Sequence, residues 1–340
     1  MSDVRVGIIG LGVGEQHIAG YEAHPAARVT ALCDFDEARL AEVAQRHPGR
    51  RLYADAAELI ADPELDVVSI ASYDSAHFEQ VAAALRAGRH VFVEKPLCQR
   101  RSEAEELWAL WRERPGLRLS TNVPLRMSPR FAELRGWIAD GRLGELYYVE
   151  GDYDYGRLWK ITQGWRAEEA FYSVVLGGAV HVVDLLLWLT GRRVVEVCAQ
   201  GSRKATEATR FAYDDLVVAT LTFDDGTIGK VSANFAIVHP HFHALKICGT
   251  NGTFVNRLGD AELWTPSGDG ARPEPVATAY PGMRKGDLLH SFVESIVSGA
   301  TAVVPGEDVF ETMAVLFAIE EAAASGDRVR VRSFDYPRTR

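Results

Sequence analysis

The chain has 340 residues, more than one ordinary hydrophobic core accommodates, so two domains are expected. Its 37 Lys and Arg against 47 Asp and Glu leave a net charge of −10 with no long basic block, which excludes a protein that tracks nucleic-acid phosphates. With 47% hydrophobic and 25% charged residues, the composition is that of a globular chain rather than a disordered one.

The first residues, Met1 to Arg5, lack a charged-then-apolar secretory pattern, and no apolar stretch reaches membrane-spanning length. A cytoplasmic protein with no membrane partner is therefore expected. From Val4 to about Asn122, short apolar runs alternate with amphipathic stretches, the signature of βαβ units around a parallel sheet. The runs are 4–9, 29–34, 67–72 and 91–94. Helices are predicted over 36–46, with Leu40, Val43 and Ala44 on one face, and over 75–87, stopped by Gly88. Ser102 with Glu105 reads as a capping box for a helix through Leu107 and Leu110.

After Gly144 longer alternating strands take over, at 145–155, 194–201, 216–223, 228–238 and 244–248. Asp225-Gly226 and Asn251-Gly252 supply hairpin turns between them. A helix over about 178–189 interrupts this sheet, helices near 287–297 and 308–324 follow it, and the Pro- and Gly-rich stretch 265–286 reads as a loop. The end, 336–340, reads as a short basic tail. The fold class expected is an α/β Rossmann domain (1–122) followed by an α+β domain with an open, mostly antiparallel sheet (123–340). A C-terminal segment is expected to pack back on the first domain. Cys33, Cys98, Cys198 and Cys248 are too scattered for a metal finger, so free thiols and no metal are expected.

Gly10, Gly12, Val13 and Gly14 lie where the first strand runs into a helix, the position at which a dinucleotide fingerprint has mechanical meaning. The usual third glycine position holds Glu15, and Gly14 comes one residue early, which reads as a shortened loop. Asp34 ends the second strand, where a carboxylate accepts from ribose hydroxyls and repels a 2′-phosphate. NAD is therefore preferred, with NADP kept open by the nearby Arg39.

Glu94-Lys95-Pro96 follows a buried strand at its carboxyl edge, where ligands sit in an open parallel sheet. Pro96 biases Lys95 toward extended backbone, and an aimed lysine can hold a substrate hydroxyl and relay its proton. An ordinary strand-end lysine is the alternative from the residues alone. With segments 71–77, 84–90, 178–184 and 247–253, this motif resembles the Gfo/Idh/MocA family of NAD(P)-dependent sugar and cyclitol oxidoreductases over the whole chain.

The resemblance implies a Lys95 beside nicotinamide and substrate, cofactor contacts from Ser72, Tyr73, His77, Glu94 and Asn122, and a second-domain sheet that forms a homodimer or homotetramer interface. It also implies that His181 takes the hydroxyl proton. Read without it, a histidine on so apolar a helix is a core residue. Two departures stand out. The family's D-x-G-x-H-x-x-D pattern has Gly177 and Ala179 at its first and third positions here, and Asp74 stands where the family's TPN-like loop usually has asparagine.

Further candidates for substrate contact are Arg126, Tyr153, Tyr155, Arg157, Lys160, Trp165, Arg166 and Asp184, each with solvated strand faces or core packing as the alternative. Asp184 either orients His181 or packs structurally. The cations among them hint at an anionic substrate. Alternation would put His239, His241 and His243 on one strand face, as an interface or pocket wall. The leading reading is an NAD(P)-dependent dehydrogenase or reductase of a secondary alcohol on a sugar, sugar derivative or cyclitol. An NAD-retaining glycoside hydrolase or epimerase-like enzyme, and a non-catalytic dinucleotide sensor, are the alternatives.

Overall fold

The computed structural model describes residues 3–267, 270–284 and 286–334, so the tail at 336–340 lies outside the described residues. The chain forms two compact units, one made of the residues up to Pro124 with Arg284–Phe310, the other of Leu125–Met283 with the chain from Glu311 onward.

In the first unit, β1 (Val4–Ile9), β2 (Ala27–Cys33), β3 (Arg51–Tyr53), β4 (Val67–Ile70), β5 (His90–Val93) and β6 (Leu119–Thr121) form a parallel sheet in the order β3-β2-β1-β4-β5-β6. Their inner residues, such as Val6, Ile8, Val68, Ile70 and Phe92, are fully buried, as strands covered on both faces require. The connecting helices are α1 (Glu15–Glu22), α2 (Glu37–Arg46), α3 (Ala56–Ala61), α4 (His77–Arg86) and α5 (Arg101–Arg112). Asp36 caps α2 by accepting from Ala38 N and Arg39 N.

The capping signal for α5 sits two residues earlier than expected. The Glu103 carboxylate, rather than that of Glu105, accepts from Gln99 N and Arg100 N, both at 3.0 Å, so the helix starts at Arg101 and Ser102 falls inside its first turn.

The second unit carries α6 (Pro129–Ala139), β7 (Leu146–Asp154), α7 (Trp159–Thr162), a π-helical turn (Val175–Ala179) leading into α8 (Val180–Thr190), then β8 (Val194–Ser202), β9 (Leu216–Phe223), β10 (Ile228–Asn234), β11 (Phe242–Gly249) and β12 (Thr253–Asn256). It continues with β13 (Ala261–Ser267), β14 (Gly270–Val276) and, last, β15 (Val329–Arg330), whereas α9 (Asp287–Val297) belongs to the first unit and α10 (Gly306–Ser325) runs from the first into the second. The sheet order is β14-β13-β12-β11-β7-β10-β9-β8-β15, antiparallel except for β7 with β10. Helix α8 lies on β7, where Gly151 leaves room for it: a Cβ there would meet Val182 at 3.2 Å.

Part of the stretch expected to be a loop, 265–286, is strand. Pro273 and Pro275 sit in β14 because it is the last strand of the order, where a missing N–H removes nothing from a ladder. Conversely β10 stops at Asn234, four residues short of the expected end. Among the described residues no helix is long and apolar enough to cross a membrane, and no group of three or more His, Cys, Asp or Glu side chains could hold a metal. The four cysteines are free thiols.

Candidate active site

In the first unit the sheet order reverses between β1 and β4, the topological switch point at which doubly wound sheets bind ligands. Gly10 lies there with φ +84°, and a Cβ on it would sit 2.4 Å from the Ala71 carbonyl oxygen, so only glycine fits. Gly12 has open space around its Cα, leaving the backbone approachable. A Cβ on Gly14 would lie 2.2 Å from Gly10 O and 2.9 Å from Ile8 Cγ2. Close helix–strand packing, the task of a fingerprint's third glycine, thus falls to Gly14, one residue early, and α1 begins at Glu15. Val13, between them, is 43% exposed.

Asp34 is buried at the end of β2. Its Oδ2 accepts from Leu11 N at 2.8 Å and its Oδ1 from Asp36 N at 3.0 Å, which ties the glycine loop to the sheet edge. A carboxylate offers about four lone-pair directions, so acceptor capacity beyond these two bonds exists. Arg39 stands exposed in the first turn of α2.

Ser72 follows β4 and donates to Gln80 Oε1 at 2.7 Å; Tyr73 is 42% exposed, its ring 5.9 Å from that of the exposed Phe35. His77 differs in kind. It is fully buried, with Nδ1 2.6 Å from Pro96 O and Nε2 3.2 Å from Ser72 O, so it braces two sheet-edge loops rather than facing open space.

Glu94 leaves β5 with its side chain 14% exposed and accepts on Oε1 from Asn122 Nδ2 at 2.6 Å, with His17 Nε2 3.2 Å away. His17 is in turn fixed by Ser69 Oγ, 3.0 Å from its Nδ1. Burial alone would raise the Glu94 carboxyl, but His17, the charge on Lys95 and the Asn122 amide together hold it below the usual carboxylate range. Lys95, half-buried, is the next residue. His17 was not singled out in the sequence; an imidazole on a helix that packs on a sheet was the available signal. Gly10, Asp34, Ser72, Glu94 and Asn122 all follow the carboxyl ends of strands, so one sheet edge collects them.

In the second unit, Tyr153 and Tyr155 point to the α8 side of the sheet, and both are buried. The Tyr153 ring stacks on His181 with centroids 5.6 Å apart, and lies 5.2 Å from His241 and 5.4 Å from His243. Gly178 permits this approach, since a Cβ there would meet Tyr153 Cδ1 at 2.7 Å. Burial raises the Tyr153 phenol well above its ordinary value. Burial, with the charge of Arg157, pushes His241 down to about 4, even though that side chain keeps an exposed edge. His243, buried and beside His241, falls to about 3, with its Nδ1 2.7 Å from Tyr280 Oη. Both imidazoles are therefore neutral near pH 7.

His239 does not join them: β11 starts only at Phe242, and His239 turns toward its neighbour's carbonyl, with Nδ1 2.9 Å from Pro240 O. Arg157 lies past Gly156, which has φ +60° and ends the extended run, so the guanidinium folds back over Tyr155 at 5.4 Å instead of continuing the strand face.

Arg126 and Asp184 meet each other. The guanidinium donates Nε–H to Oδ2 at 2.9 Å and Nη2–H to Oδ1 at 2.6 Å, with the side chains 2% and 1% exposed. Both expected substrate contacts are thus held in a buried ion pair with each other. Asp184 Oδ1 also accepts from Thr312 Oγ1 at 3.4 Å. Lys160 lies over the Trp159 ring at 4.4 Å, and Arg166 over Trp165 at 4.4 Å while donating from Nε to Tyr172 Oη at 3.1 Å. Of the cations expected to form an anion pocket, Arg126 is paired with a carboxylate, while Arg157, Lys160 and Arg166 rest on aromatic rings. Tyr172 was missed in the sequence. Its oxygen occupies the space of the absent side chain at Gly177, where a Cβ would lie 2.4 Å from Oη.

Residues 4–122 match the profile described as an oxidoreductase family with an NAD-binding Rossmann fold, and residues 131–255 match the GFO/IDH/MocA C-terminal domain. The chain is 26% identical to the myo-inositol 2-dehydrogenase of Thermotoga maritima over 90% of its own length and 92% of that protein's. It is also 26% identical to the 1,5-anhydro-D-fructose reductase of Ensifer adhaerens, covering 97% and 99% of the two chains. Among solved structures, levoglucosan dehydrogenase in complex with NADH and L-sorbose superposes with a TM-score of 0.88 at 23% identity, over 98% of this chain and 100% of that one.

Proposed function

The chain belongs to the Gfo/Idh/MocA family of oxidoreductases, with an NAD-binding Rossmann domain, and from that premise we propose that it interconverts a secondary alcohol and a ketone on a sugar, sugar derivative or cyclitol. The observation that carries this reading is the single sheet edge on which the glycine loop, Asp34 and Glu94-Lys95 converge.

The cradle fits a dinucleotide: Gly10 and Gly14 have no room for a Cβ, Gly12 leaves its backbone open, and the Asp34 carboxylate stands where ribose hydroxyls would donate. NAD, when bound, supplies the hydride acceptor or donor. Gly10, Gly12, Val13 and Gly14 would hold its pyrophosphate, Asp34 its ribose, and Ser72, Tyr73, Glu94 and Asn122 the nicotinamide end. The Asp34 charge disfavours a 2′-phosphate, so NAD is preferred over NADP even with Arg39 nearby.

On the substrate side, Lys95 donates to the reacting oxygen. His181 accepts the hydroxyl proton in oxidation and returns it in reduction, and Tyr153, Tyr155, Arg157, Lys160 and Trp165 are the proposed substrate contacts. The bulk of relatives named for neutral polyols and sugars supports an uncharged substrate, in line with the engagement of Arg126 and Arg166.

The outer face of the second-unit sheet mixes exposed Val218 and Ile228 with an ion network in which Lys230 lies 3.0 Å from Glu150 Oε1 and 2.5 Å from Asp152 Oδ1. This face is the proposed surface for a homodimer or homotetramer, which sedimentation would test.

Screening cyclitols and sugars for NADH formation tests the activity. Lys95→Ala and His181→Ala should each lower kcat roughly 100- to 10,000-fold while NADH binding persists. Full turnover in either variant would refute its role. Product formation without net NADH would favour the NAD-retaining hydrolase reading instead.

A further inference from the structure

His17 lies in the first turn of α1, and its backbone N–H donates to Gly14 O at 2.9 Å, which ties the residue to the last glycine of the loop. Its imidazole turns inward: the side chain is 2% exposed, and the ring meets that of Phe92 edge-on at 5.7 Å. Burying an imidazole this deeply is costly unless both ring nitrogens find partners, and here both do. Nδ1 lies 3.0 Å from Ser69 Oγ on β4, and Nε2 lies 3.2 Å from Glu94 Oε1, just past β5.

Glu94 Oε1 also accepts from Asn122 Nδ2 at 2.6 Å, just past β6. Helix α1 and three neighbouring strands, β4, β5 and β6, are therefore joined through one imidazole and one carboxylate.

The direction of these bonds follows from donor counting. An ionised carboxylate only accepts, so Nε2 carries the proton in the contact with Glu94, and Nδ1 pairs with the Ser69 hydroxyl. Two donors on one oxygen fix the rotation of the carboxylate as well as its place. Burial raises the Glu94 carboxyl, and His17 from α1, Lys95 beside it in the chain and the Asn122 amide oppose it, His17 most strongly. We propose that His17 is a positioning residue for the cofactor: from α1 it clamps the Glu94 carboxylate, so that the helix after the glycine loop and the acid at the nicotinamide end are set together. The inference rests on the proposed place of Glu94 at the nicotinamide end.

The test is NADH binding to the full-length protein, by fluorescence titration at about pH 7.5 and about pH 5.5, well below the melting temperature of each variant. A glutamine amide reaches nearly as far as imidazole Nε2, an asparagine amide only as far as Nδ1. His17→Gln therefore keeps a donor for Glu94 and should bind NADH within about threefold of wild type. His17→Asn keeps only the Ser69 side and should raise the Kd roughly 10-fold. With the imidazole donor gone and the burial unchanged, Glu94 takes up a proton more readily. His17→Asn should thus lose roughly threefold more affinity than wild type on going from the higher to the lower pH. Glu94→Gln should weaken NADH binding by itself, and His17→Asn should add little to it, because both act through one carboxylate.

Wild-type affinity in His17→Asn beside weakened binding in Glu94→Gln would overturn the inference and leave the place of Glu94 standing. Equal losses in His17→Gln and His17→Asn with the wild-type pH response would reduce His17 to packing and overturn it as well. Wild-type affinity in Glu94→Gln would overturn the place of Glu94 and, with it, the clamp.

Discussion

Replacing Asp184 by Asn keeps the shape of the side chain and removes the charge that faces Arg126. The pair is bidentate at 2.9 and 2.6 Å, and its side chains are 2% and 1% exposed, so water cannot enter to solvate the guanidinium once the carboxylate is gone. Breaking one side of such a buried pair costs about 3–5 kcal/mol. For a unit of this size each kcal/mol lowers Tm by roughly 2–4 °C, so a fall of about 6–20 °C is expected in thermal melts followed by circular dichroism. Replacing both partners by apolar residues, Arg126→Met with Asp184→Leu, should recover most of the loss, because neither charge then remains buried. A Tm for Asp184→Asn within about 2 °C of wild type would refute the reasoning, since that is a loss below about 1 kcal/mol and belongs to a solvated pair.

Three further outcomes are expected. Gly10→Ala should abolish NADH binding in fluorescence titrations, since the new Cβ would stand 2.4 Å from Ala71 O at a residue with φ +84°. Asp34→Ser should move the kcat/KM ratio toward NADP and also cost about 1–3 kcal/mol in urea unfolding, because Leu11 N and Asp36 N lose their carboxylate acceptor; an unchanged cofactor ratio would contradict the ribose role. His243 falls from the ordinary histidine range to about 3 in the folded chain, so the unfolded chain binds the extra proton between those values. Its contribution is fully present above about pH 6.5 and is lost as pH falls, at up to about 1.4 kcal/mol per pH unit. Unfolding free energies from urea titrations should therefore fall by about 2 kcal/mol more between pH 7 and pH 5 in wild type than in His243→Gln.

Much of the site's first half could be read along the chain because its determinants are local. Gly10 is forced by its own φ, Asp34 by its place at a strand end, and Asp36 by its cap to α2, each a matter of a few consecutive residues. The shortened glycine loop was also legible, although only packing against Ile8 and Ala71 explains why Gly14 suffices. The hairpin at 261–276 was hidden because prolines signal a loop unless the strand is at an edge, and edge position is a property of the whole sheet.

The second half depends on partners that lie far apart in sequence. Arg126 and Asp184, 58 residues apart, gave no sign in the sequence that they would pair until the fold joined them. Gly177 looked like a missing group until Tyr172 filled its slot. His243 acquires its neutral state from burial and from His241, not from its sequence alone. The sequence by itself determined the βαβ pattern, the strand-end acid and lysine, and the family to which they point, because backbone conformation and strand ends are set by short-range chemistry. Only the tertiary structure decided which charges are spent on each other and which polar atoms stand beside His181, because burial and pairing are properties of space rather than of sequence order.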